Sequence, residues 1–184
     1  MTATEDLRSE HVGVARMLDI MDAMAERMSA GVRPDEDGLA EVIEFLRVFI
    51  DQCHHAKEEQ LLFPALRIAN VASVEGTLDT LMAEHAQGRE IVAQVASAAD
   101  RLSSQEETAM AQLVQAMAAY TQLLRAHVRR EENDCFSVAD RELPATVQDA
   151  LNEGYERIER EVIGEGRHEA FHALLDRLSL VYVG

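Results

Sequence analysis

Four stretches of this chain repeat one pattern: apolar residues spaced alternately by three and four, with a single histidine set into each apolar row. The first row runs Leu7, His11, Val14, Leu18, Met21, and the second Leu39, Ile43, Leu46, Ile50, His54, Glu58, Leu61. The third runs Leu78, Leu81, His85, Gly88, Val92, Val95, and the fourth Leu113, Met117, Tyr120, Leu124, His127, Glu131. This spacing marks helices that each bury one stripe. Breaks at residues 30–34 and 70–73 and at Ser103 and Ser104 separate the four, and Leu143 and Pro144 open a further segment. The expected fold is all-α: an antiparallel up-down-up-down four-helix bundle over residues 1–142, with a C-terminal helical extension over 143–184. Eight methionines, three prolines and no tryptophan suit that class better than a sheet.

An imidazole is costly to bury without a partner, so four histidines on four buried stripes need a common explanation. His11 and His54 lie at similar distances along the chain from the first break, and His85 and His127 from the third. In helices rising about 1.5 Å per residue, all four fall in one layer. Glu58 follows His54 by one helical turn, about 40° around the helix, and Glu131 follows His127 in the same way. Glu59 and Glu132, at about 140°, point to the flanks as supporting or surface groups. Buried imidazoles and carboxylates in one layer imply bound cations.

The chain also repeats itself. Glu10-His11 returns as Glu84-His85, and His54-x3-Glu58-Glu59-x3-Phe63 returns as His127-x3-Glu131-Glu132-x3-Phe136, at almost the same offset along the chain. A doubled helical hairpin of this kind suits two metal ions bridged by the two carboxylates. Nitrogen and oxygen donors without thiolate favour iron or manganese over zinc.

The composition excludes other classes. A net charge of −17 repels nucleic acid and anionic membranes. No apolar run is long enough to span a bilayer and the N-terminus lacks a signal pattern, so a soluble cytoplasmic protein is expected. Cys53 and Cys135 form no CxxC motif and read as buried thiols. No phosphate loop or nucleophile triad is present.

Taken together, His11, "HHAKEEQLLFPAL" from His54, "EHAQGRE" around His85 and "HVRREENDCF" from His127 resemble the hemerythrin-like (HHE cation-binding) family over residues 5–140. The tail "YERIEREVIGEGRHEAFHALLDRLSLVY" resembles the helical extension of bacterial stand-alone members. The resemblance implies a non-haem, carboxylate-bridged centre of two Fe ions held by His11, His54, Glu58, His85, His127 and Glu131. Oxygen-carrying members have a second histidine one turn from that on the third helix; here those positions are Leu81 and Arg89. His55, about 60° from Glu58 on the same face, is a seventh candidate ligand. The implied function is to bind or turn over oxygen, nitric oxide or peroxide. As an enzyme it would be a di-iron oxidoreductase; the alternatives are an iron or oxygen sensor, or an iron-donating repair protein without oxygen carriage. Tyr120 reads as core, and Lys57 and Arg89 as partners of Glu59 or Glu132. His168 and His172 stand one helical turn apart but read as packing residues. The extension either caps the bundle or forms a homodimer contact.

Overall fold

The structure, a computed structural model, describes residues 2–103, 108–164 and 166–184, without the side chains of Ser103 and His168. Ser104 and the His168 side chain, both named above, therefore lie outside the described residues. Among the described residues, six helical elements follow in order: α1 (Ala3–Ser29), α2 (residues 36–68), α3 (Glu75–Ser103), α4 (residues 109–142), α5 (residues 145–163) and α6 (Arg167–Tyr182). No strand occurs among the described residues, and the fold is all-α, as the four apolar rows require.

Local signals set the ends. Thr2 opens α1 with a capping box: its hydroxyl accepts from the Glu5 amide, and the Glu5 carboxylate accepts from the Thr2 amide at 2.6 Å. Asp35 caps α2 by accepting from the Gly38 amide at 2.8 Å. Side-chain ties fix the directions. His11 meets Glu132 while Asp19 and Asp22 meet Arg125, so α1 and α4 run antiparallel. Arg67–Asp79, Glu59–His85 and Asp51–Arg89 do the same for α2 and α3.

The apolar stripes form two clusters, one on each side of the histidine layer. The first holds Met17, Met21, Phe45, Phe49, Leu113 and Met117, and the second Leu7, Leu62, Phe63, Leu66, Leu81 and Phe136. Each buried leucine or phenylalanine contributes about 1.5–3 kcal/mol. The extension shares both clusters. Ile163, Phe171, Leu175 and Leu178 join the first, and Leu151 and Tyr155 the second. At Gly154 α5 comes so close to α2 that a Cβ would lie 2.7 Å from Leu61. The turn after α5 passes through Gly164 at φ 83°, a conformation that favours glycine.

One local feature departs from the regular helices expected. α2 widens into π-type turns over Phe45–His55 and again over Glu58–Leu62, and α4 does so over Glu131–Phe136. Within them, for example, the Phe63 amide donates to the Glu58 carbonyl rather than to that of Glu59. A wider turn reduces the angle between successive side chains, and such turns gather at functional sites. Glu58–Leu62 and Glu131–Phe136 match under the internal repeat. Phe45–His55 has no counterpart, because the equivalent stretch of α4 is regular α-helix.

Candidate metal centre

All seven candidate residues are brought together at the middle of the bundle. His11, His54, His55, His85 and His127 are each 4% exposed or less, and Glu58 and Glu131 are fully buried. Four of the imidazoles are held in the same manner. Each uses Nδ1 on a carboxylate from a neighbouring helix: His11 on Glu132 at 3.1 Å, His54 on Glu10 at 2.7 Å, His85 on Glu59 at 2.7 Å and His127 on Glu84 at 2.9 Å. In a neutral imidazole, an Nδ1–H that donates to a carboxylate leaves the Nε2 lone pair free to bind a metal ion. Those Nε2 atoms face inward, 3.1 Å apart in the His11–His54 pair and 3.1 Å apart in the His85–His127 pair.

Glu58 and Glu131 lie between the pairs. His11 Nε2 is 3.2 Å from Glu131, His127 Nε2 is 2.7 Å from Glu131 and His85 Nε2 is 3.4 Å from Glu58. None of the four carboxylate oxygens has a hydrogen-bond partner. Buried polar atoms are almost always satisfied, and an orphaned set of this kind fits a site that binds an ion. Imidazole nitrogens and carboxylate oxygens packed this closely need positive charge between them, as protons in the metal-free chain or as metal ions. The donor atoms fall into sets within 4.8 Å of one another: His11, His54, Glu58 and Glu131; Glu58, His85, His127 and Glu131; and His55, His85 and His127.

The protonation balance points the same way. Burial lowers the His85 pKa, but the carboxylates of Glu131, Glu58 and Glu59 around the ring outweigh it and lift the value to about 11. His127 rises to about 9, against burial, through Glu131 and Glu84. Burial, then the neighbouring Glu131 charge, raises Glu58; Glu131 is held low, against burial, by His127, His11 and His85. In the metal-free chain the imidazoles thus supply the positive charge that the carboxylates need.

His55 breaks the symmetry. Its ring stacks on His85 with centroids 3.8 Å apart, and neither of its nitrogens has a hydrogen-bond partner; Asp51 is 3.6 Å from Nδ1. Burial and the nearby imidazoles push its pKa well below the ordinary value, so it is a neutral imidazole. Under the internal repeat its counterpart is Val128. It sits on the one π-type stretch that α4 does not copy. Leu81 lies in the apolar cluster, while Arg89 turns outward onto Asp51 and Glu59, both at 2.7 Å.

The hemerythrin HHE cation binding domain matches residues 2–139 of the chain. The chain belongs to the hemerythrin HHE cation-binding family. Uncharacterized proteins from two strains of Mycobacterium tuberculosis and from Mycobacterium bovis are each 28% identical to it over 179 residues, covering 97% of this chain and 68% of theirs. No solved structure matches. No helix among the described residues is long and apolar enough to cross a membrane.

Within this hemerythrin HHE chain, Glu59 and Glu132 hold imidazoles, and the two free cysteines are buried. A cavity of about 320 Å³ between α2 and α3 reaches His55 and Tyr120, whose ring is buried. Lys57 does not meet Glu59 or Glu132. It is fully buried, and Nζ binds Asp6 at 2.9 Å, Glu10 at 2.6 Å and Glu159 of α5 at 2.5 Å. Arg130, the counterpart of Lys57 under the repeat, binds the matching Glu84. Sequence reasoning missed Glu10 and Glu84 as holders of His54 and His127. The signal was there, since each precedes a repeated histidine.

Proposed function

We propose that this chain is a non-haem di-iron protein that binds or turns over oxygen, nitric oxide or peroxide. The observation that carries this reading is the ring of four carboxylate-held imidazoles whose inward Nε2 atoms surround the four unpartnered oxygens of Glu58 and Glu131. Five nitrogen donors and two carboxylates without thiolate suit iron. His11 and His54 would hold one ion and His55, His85 and His127 the other, with Glu58 and Glu131 shared. Iron bound there would supply Lewis acidity and electrons to a small ligand. Glu10, Glu59, Glu84 and Glu132 fix the imidazole tautomers and orient the rings. The two apolar clusters keep bulk water from the layer, so the ligand that suits the centre is small.

The donors are unequal: three imidazoles on one side and two on the other. An ion held by His11 and His54 would therefore be the one with a coordination position left for an added ligand. The test is an iron count on protein purified without air, joined to optical spectra with oxygen, peroxide and nitric oxide. Two iron ions per chain and a new visible band on exposure support the reading. A folded chain that takes up no iron would end it.

One observation favours a second reading, an iron sensor. Lys57 joins Glu159 of the extension to Glu10, which holds His54. Metal occupancy would then be felt in α5. The measurement is the protease sensitivity of residues 143–184 with and without iron; equal sensitivity would retire this reading.

A further inference from the structure

The extension carries one polar atom that the fold leaves without a partner. Tyr155 on α5 is 1% exposed, and its hydroxyl is shut from solvent with no hydrogen-bond partner. A buried phenol ordinarily finds an acceptor. Among the described residues, the other orphaned buried side-chain atoms belong to His55, Glu58 and Glu131, all in the metal centre. Tyr155 is the one member of this set that lies outside the bundle's four long helices.

Its placement is fixed from several directions. Gln148 of α5 accepts from the Ala3 amide at 2.9 Å, Gly154 lies against Leu61, and Glu159 binds Lys57 at 2.5 Å. Between the last two anchors, the Tyr155 ring lies 5.4 Å from Lys57 Nζ. It packs in the cluster of Leu62, Phe63, Cys135 and Phe136, which follow Glu58 and Glu131 along their helices. Burial first, and then the Glu58 carboxylate, push its ionisation upward, so the hydroxyl keeps its proton and is a donor. Lys57 also holds Glu10, and Glu10 holds His54. Tyr155 thus stands on the His11–His54 side, which has two imidazoles rather than three.

We propose that the Tyr155 hydroxyl donates a hydrogen bond to the small ligand held on the His11–His54 side, so that the extension supplies a residue of the ligand site. This rests on the iron reading above. It gives the orphaned hydroxyl an acceptor and makes α5 part of the binding machinery rather than a cover.

The test is Tyr155→Phe, which removes one oxygen and keeps the ring. In the metal-free protein the thermal midpoint should stay or rise, because an unsatisfied buried hydroxyl has been removed. Iron content should match wild type, while the dissociation constant for azide, the probe ligand, should rise about tenfold. The azide stretch of wild-type protein should shift on transfer from H2O to D2O, and that shift should vanish in Y155F. Unchanged azide affinity in an iron-loaded variant would overturn this proposal alone. A fall in metal-free stability with the D2O shift retained would make Tyr155 a packing residue and overturn it as well. A wild-type chain that binds no iron would overturn the iron reading and this proposal with it.

Discussion

Glu10 shows how much one buried carboxylate can organise. Its Oε2 accepts from His54 Nδ1 at 2.7 Å and its Oε1 from Lys57 Nζ at 2.6 Å, so both oxygens are saturated by positively polarised donors. Burial alone would raise its pKa, but His54 and Lys57 outweigh it and hold the carboxyl down to about 2, against 4.5 for the free group. A depressed folded-state value contributes stability that is fully present above the unfolded value. That contribution is lost as the pH falls from about 4.5 through about 2. Glu10→Gln should therefore cost the metal-free protein about 3 kcal/mol at neutral pH. The gap from wild type should close as acid protonates Glu10 itself. Urea unfolding of the two proteins from pH 7 to pH 2.5 checks both statements; a gap independent of pH would contradict the assignment. The sequence displayed Glu10 only as half of a repeated Glu-His pair. Its side chain points at the next helix's histidine rather than at its own neighbour, and helical periodicity carries no information about which helix a flank meets.

At the scale of elements, the repeat is the main lesson and its imperfections the main findings. It places His54 over His127, Glu58 over Glu131, Glu59 over Glu132 and Glu10 over Glu84. In each case the structure gives the two members the same role toward an imidazole or in the carboxylate pair between them. The layer of four histidines was legible because burial on four stripes leaves few other arrangements. The π-type turns were not, since an apolar row read at α-helical spacing looks the same with one wider turn in it. Nor was the contrast between Lys57 and Arg130. Both bind the carboxylate behind an imidazole, but Lys57 is fully buried and holds Asp6, Glu10 and Glu159, while the Arg130 side chain is 34% exposed. Lys57→Met would leave buried Glu10 without its ammonium partner, at a cost of about 3–5 kcal/mol. Arg130→Met removes a partly solvated pair and should cost about 1 kcal/mol or less. Chemical denaturation of the two metal-free variants reads the difference, and equal costs would mean that the two halves of the repeat are energetically the same. A lysine reads as surface by default, and its third partner comes from a helix far along the chain that no local pattern joins to it.

For the whole molecule, the question is what the extension does to the bundle that carries the metal site. The two share apolar clusters, and they also share charge. Glu159 reaches Lys57, Lys57 reaches Glu10, and Glu10 orients His54. A cation bound at His54 fixes that imidazole, and through it the carboxylate and the ammonium to which α5 is tied. Coupling of this kind is reciprocal: if α5 helps to hold the site, metal at the site helps to hold α5. Removal of the bound metal should therefore raise the rate at which trypsin cuts at Arg157, Arg160 or Arg167 by about tenfold, since cleavage reports the population of locally opened chain. Lys57→Met breaks the chain at its middle. Its digestion rate should be high and nearly the same with and without metal, even where its iron content matches wild type. Cleavage within residues 109–142 serves as the internal reference, because it reports opening of the bundle itself. If metal slows cutting in both segments by the same factor, it stabilises the molecule as one unit. The extension is then held only by its apolar contacts at Leu151, Phe171, Leu175 and Leu178, and the Lys57 connection transmits nothing.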